Sequence, residues 1–194
     1  MKRFYQLLRP FAFLSIKAPS LPFYRLYAPV FITVLSVLFG VLTPIQINLA
    51  GPASFSEYLS GFFVSLPGFY IAALAAIVAF QGGDLDREMP DAKVKILWNG
   101  DLAEDNISLR VFLSYLFSYL VVISFLGFFV CLFGNIAGDD IITLVEKSGR
   151  ESSGFIVSAL CVCYTALVVF LAASIVTCTM LGLYFLAERV HQEL

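Results

Sequence analysis

Four long stretches of this chain are apolar almost without interruption, and they govern the reading of everything between them. Leu26 to Leu49 holds no ionisable side chain and only Thr33, Ser36, Thr43, Gln46 and Asn48 as strongly polar groups. Leu59 to Phe80, Val111 to Ala137 and Phe155 to Ala187 repeat the pattern, each without a charge. Each exceeds the roughly 18 apolar residues that separate a transmembrane helix from a buried core helix. At about 1.5 Å per residue, each also spans a hydrocarbon core of about 30 Å. Without water, such a run satisfies its own amides and carbonyls only as a helix.

The pattern predicts an all-α polytopic membrane protein with four transmembrane helices, at about 26–49, 59–80, 111–137 and 155–187. The membrane domain is then 26–194, with a polar loop at 81–110, and 1–25 stands apart as a basic amphipathic interfacial segment. Punctuation agrees with these limits. Pro29 suits a first helical turn and Pro44 a far end. Gln81-Gly82-Gly83-Asp84 and Gly138-Asp139-Asp140 are expected to stop the second and third helices. Pro67-Gly68, inside the second run, predicts a kink.

Composition strengthens the picture. The chain is 60% hydrophobic and 13% charged, with twenty Phe residues and a mean hydropathy of +0.90, far from the surface chemistry of a soluble domain of 194 residues. A net charge of −2 points to no nucleic-acid partner. Its distribution is informative all the same. Ten of the 12 Lys and Arg residues lie before the first run, between the second and third, or after the fourth; Lys147 and Arg150 alone lie in the third connection. The positive-inside rule therefore puts both termini and the 81–110 loop in the cytoplasm of a bacterial inner (plasma) membrane. No short apolar region follows Lys2-Arg3 directly, so a cleaved leader is not expected.

The first 25 residues carry Lys2, Arg3, Arg9, Lys17 and Arg25 with no acid. On a helical wheel Lys2, Gln6, Arg9 and Lys17 fall together, with Phe13 intruding. The segment reads either as a topogenic signal or as an amphipathic stretch that lies on anionic headgroups and senses the lipid surface. In the second run Gly68, Ala72 and Ala76 recur every four residues. That spacing lets helix backbones approach closely; packing within the chain is read first and contact with a second subunit next. In the third run Ser114, Ser118, Ser124, Tyr115 and Tyr119 are candidates for hydrogen bonds across to neighbouring helices.

The 81–110 loop is the largest polar segment. Lys93 to Trp98 alternates in the manner of a short strand, closed by the turn dipeptide Asn99-Gly100. It holds the single Trp among many acids. Too few apolar residues are present for a core of its own, so the loop either folds onto headgroups or docks a partner. A mixed-charge patch with a Trp anchor fits the second case, with Arg87, Lys93, Lys95, Trp98 and Asp101 as the candidate partner-binding residues.

Reaction chemistry is not expected. His191, the only histidine, lies near the chain's end, no phosphate-binding loop occurs, and no acid–base pair is in view. Cys131, Cys161, Cys163 and Cys178 lie in apolar runs, where thiols act as small hydrophobes rather than disulfides or metal ligands. Asp139-Asp140 is too little for calcium. Catalytic, cofactor and metal sites are all read as none. The uncharged spans also disfavour proton pumps, voltage sensors and ion-coupled carriers.

Four spans with cytoplasmic ends, the stretch SLPGFYIAALAAIVAF from Ser65 to Phe80, and the acidic loop after it resemble the membrane subunits of the Kiwa bacterial anti-phage defence system. The resemblance covers most of the chain and carries no residue-level signature. It implies a homo-oligomer, a tetramer, that detects phage attack at the envelope and works with a separate cytosolic DNA-binding effector. The expectation is thus a non-enzymatic membrane sensor and scaffold. A small oligomeric channel or holin-like pore and an accessory transporter subunit are the alternatives.

Overall fold

The computed structural model describes residues 9–18, 21–42, 54–79, 84–86, 88–98, 101–147 and 153–189. Four helices dominate: α1 (Ala28–Leu42), α2 (Phe55–Ala79), α3 (Leu109–Lys147) and α4 (Ser153–Tyr184). All four belong to stretches long and apolar enough to cross a membrane, the first of them starting at Phe23. The chain is an all-α polytopic membrane protein, with one antiparallel hairpin, β1 (Glu88–Trp98) and β2 (Asp101–Ser108), inserted between α2 and α3.

The helices do not pack in chain order. α2 lies against α3, α3 against α4, and α4 against α1, giving the row α2-α3-α4-α1. α3 is the axis of this row, and Phe112, Leu113, Leu116 and Leu120 along its first half are wholly buried. At the end of the row, α1 leaves Phe31, Val34, Leu35, Leu38 and Phe39 exposed. Such a face would aggregate in water, but in hydrocarbon it costs nothing to leave it against lipid tails.

α3 departs from expectation at its far end. It runs unbroken through Gly138-Asp139-Asp140 to Lys147, 39 residues in all, or about 58 Å. One glycine costs a helix only about 1 kcal/mol, and the apolar Ile141 and Ile142 resume the pattern beyond the acids. α2 is likewise continuous through Pro67. The expected far end of the first span at Pro44 and the Gln81-Gly82-Gly83 stop lie outside the described residues.

The close approaches between helices fall at glycines the sequence pattern did not single out. A Cβ on Gly127 would stand 2.5 Å from the Phe63 ring, and one on Gly182 would stand 3.0 Å from Leu116. On Gly134 a Cβ would collide with the Tyr164 hydroxyl. Gly127 and Gly134, seven residues and so two turns apart on α3, thus receive one aromatic ring from α2 and one from α4.

The small-residue stripe is a correction to the reading of packing within the chain. Gly68, Ala72 and Ala76 are all exposed, and a Cβ at Gly68 meets nothing within 4 Å. The buried face of α2 is instead Phe63, Pro67, Tyr70 and Ile77. Large side chains fill the α2–α3 seam, and the small ones face away from the other described residues.

Of the third-run residues expected to bond across, Tyr115 does so, with Arg9 of the N-terminal segment, but Ser114 and Ser124 do not. Ser114 and Ser124 donate to carbonyls four residues back in α3, at 2.8 and 2.7 Å, as serines in apolar helices do. The crossing bonds join α2 to α4 instead: Tyr70 with Thr179 at 2.7 Å and Ser56 with Tyr164 at 2.7 Å. Ser56 also donates to the Cys131 carbonyl of α3 at 3.3 Å.

Candidate functional site

Expected polar residues converge at one end of the bundle, where the N-terminal segment, the hairpin base, the start of α3 and the end of α4 meet. Residues Arg9–Ser15 form a tight helical turn. Phe13, the residue that spoiled the amphipathic wheel, is what holds this turn in place. It is fully buried, with ring centroids 6.1 Å from Phe112 and 5.2 Å from Tyr119. Phe112 in turn meets Phe185 after α4, at 5.0 Å.

The cations of the segment are largely engaged by protein. Arg9 donates to the Tyr115 hydroxyl at 2.7 Å and lies over that ring at 5.6 Å. Arg25 donates to the Leu14 carbonyl, closing the segment back on the start of the first span. Lys17 has an exposed side chain, while its backbone pairs with Lys93 of β1: the Lys17 amide donates at 3.0 Å and the Lys93 amide returns a bond at 3.2 Å. Lys2 and Arg3 lie outside the described residues; the described parts of the segment, 9–18 and 21–25, dock on the bundle through the buried Phe13, Ile16 and Leu21.

The hairpin has a fixed base and a projecting arm. At the base Met89, Ala92 and Ile107 are buried, and the ladder slips between Glu88 and Lys93, where Pro90 has no amide to offer. From Lys93 outward the register is regular, with Lys93 opposite Asn106, Lys95 opposite Glu104 and Trp98 opposite Asp101. The arm therefore extends about 17 Å beyond the Lys17–Lys93 bridge, at roughly 3.3 Å per residue. The second strand was not foreseen, because Asp101 to Ser108 shows none of the β-branched alternation that marks strands; pairing with β1 imposes it. Asn99-Gly100 and Arg87 fall outside the described residues.

Arg110 ties this base to the membrane helices and was read from sequence only as one cation among many. Its Nε and Nη2 grip the two Asp86 carboxylate oxygens at 2.7 and 3.1 Å, and its Nη1 donates to the Ile77 carbonyl at 3.0 Å. One guanidinium thus links three elements. It fixes the turn before β1, starts α3, and satisfies one of the carbonyls that the end of α2 leaves unpaired. The signal available in the sequence was a lone cation at a predicted helix start with acids upstream, too common to single out.

Of the candidate partner-binding residues, Lys93, Lys95, Trp98 and Asp101 share one arm; of the lipid-surface candidates, Lys17 pairs with its base, while Arg9 is held by α3 and Arg25 by the Leu14 carbonyl. Gly68, Ala72 and Ala76 belong to a different surface, on α2. Among the described residues no group of three or more His, Cys, Asp or Glu is placed to hold a metal ion, and all four cysteines are free thiols. No protein-family model, curated protein or solved structure matches this chain.

Proposed function

We propose that this chain is a non-enzymatic membrane sensor and scaffold of antiviral defence, which recruits a cytosolic DNA-binding effector through the β1–β2 arm. The observation that carries the proposal is the hairpin itself: a two-stranded arm, anchored at its base by Arg110 and the Lys17 bridge and set with Lys95, Trp98 and Asp101 toward its tip. An isolated hairpin is marginal in water, so an arm held out from the bundle gains stability from a partner. Strand addition to its outer edges is one mode available to it. The positive-inside rule places the arm in the cytoplasm of the bacterial inner membrane, and the resemblance to Kiwa membrane subunits supplies the kind of effector and the phage-induced envelope perturbation as stimulus.

The test uses a change confined to the arm. Lys95→Glu with Trp98→Ala is expected to abolish both co-purification of the proposed cytosolic DNA-binding effector and protection of cells against phage, with membrane insertion unaltered. Retained co-purification overturns the proposal.

The same reading includes a homo-oligomer, a tetramer. It is supported by the outward stripe of Gly68, Ala72 and Ala76, which permits close approach of a second copy. Ala72→Ile is expected to shift the assembly to smaller species in native mass spectrometry from nanodiscs; an unchanged mass places lipid on that face instead.

A further inference from the structure

At the end of the bundle away from the hairpin, α3 and α4 border a cleft of about 200 Å³. Its lining includes Phe133, Gly134 and Ile142 of α3 and Leu160, Cys161 and Tyr164 of α4. Tyr164 fills the space left by Gly134 and reaches past it to Ser56 of α2, so its hydroxyl is satisfied and its ring forms an apolar wall. Toward the far ends of α3 and α4 nothing among the described residues fills the gap.

We infer that this cleft is a binding site for one acyl chain of an outer-leaflet phospholipid. Three observations select that occupant. Phe133, Gly134, Leu160, Cys161 and Tyr164 lie within the candidate membrane spans, while Ile141 and Ile142 stand just past the end of the third, so the cleft opens at the edge of the hydrocarbon core, where acyl chains reach it. The cleft is also continuous with a bare apolar flank on α3, where Phe129, Phe133 and Ile136 are 60%, 65% and 71% exposed. Finally, the lining is almost wholly apolar, so it gives water few hydrogen-bond partners and favours an apolar guest. The site stands apart from effector docking. That its occupancy is what the chain senses, along a helix running unbroken from the cleft to Arg110, rests on the sensor reading above.

The experiment uses the full chain in phosphatidylethanolamine–phosphatidylglycerol vesicles doped with phosphatidylethanolamine bearing a photoactivated diazirine on one acyl chain, with labelled peptides mapped by mass spectrometry. Labelling is expected to concentrate severalfold on 133–142 and 160–164 relative to the equally bare Leu35, Leu38 and Phe39 of α1. Cys161→Phe, which fills the cleft, should remove the enrichment, whereas Gly68→Val on the far face should leave it. Ile142→Trp provides a second filled variant where the first fails to insert. Labelling proportional to exposure alone, enrichment that survives filling, or cross-links between copies at these residues would each overturn the site. Loss of effector co-purification leaves this result untouched, so the two proposals fail separately.

Discussion

At the scale of single residues, this fold is decided by what stands where a side chain is missing. Gly127 and Gly134 sit under the Phe63 and Tyr164 rings, so replacing either by Ala overpacks the seam. A cost of about 1–3 kcal/mol is expected for Gly127→Ala or Gly134→Ala, read as earlier unfolding of the detergent-solubilised chain. Gly68→Ala, with open space around it, is expected to stay within about 0.5 kcal/mol of the parent. Equal effects at Gly68 and Gly127 would refute the assignment of faces. The Tyr70–Thr179 bond is worth less. Tyr70→Phe should cost about 0.6 kcal/mol, the average for hydrogen bonds between membrane helices, and a double-mutant cycle with Thr179→Val should recover that coupling. None of these pairings was legible beforehand. A glycine in an apolar run is visible in sequence, but which ring covers it depends on a neighbour more than 60 residues earlier or 30 later.

Among elements, the hairpin and its clamp are the informative case. A strand over Lys93 to Trp98 was readable from alternation, and the ladder runs in register to Trp98 opposite Asp101; the expected Asn99-Gly100 turn lies outside the described residues. The length of β1 back to Glu88 and the existence of β2 were not readable, since partnering supplies them. Arg110 holds the base through a forked grip on Asp86, whose side chain is 53% exposed, so solvent screening keeps the value of the pair to about 1 kcal/mol. Arg110→Ala is therefore expected to speed amide exchange in 88–98 about fivefold. Arg110→Lys should recover little of the protection, because an ammonium cannot span two carboxylate oxygens and the Ile77 carbonyl together. Exchange unchanged in both variants would mean that the buried Met89, Ala92 and Ile107 hold the base alone.

For the whole molecule, the row α2-α3-α4-α1 makes a prediction that chain order does not. In a cysteine-free background, cysteine pairs engineered between α1 and α4 are expected to cross-link within one copy, while pairs between the consecutive α1 and α2 are not. The reverse result would overturn the arrangement. The gathering of Arg9, Lys17, Lys93 and Arg110 at one end of this row accords with an even number of crossings between the first and last of them.

The number of spans and the even alternation of sides followed from the sequence alone, because a run of more than about 18 apolar residues without charge has one favourable environment and one way to satisfy its backbone there. The class of the protein needed no tertiary information. The partners of those spans did, because every helix is apolar all round and hydrocarbon does not favour one apolar face over another. Shape complementarity chose among them: rings over Gly127 and Gly134, the small-residue face of α2 turned outward, Phe13 seated beneath a segment whose charges had suggested the membrane surface. Such fits between residues far apart in the chain exist only once the helices stand side by side.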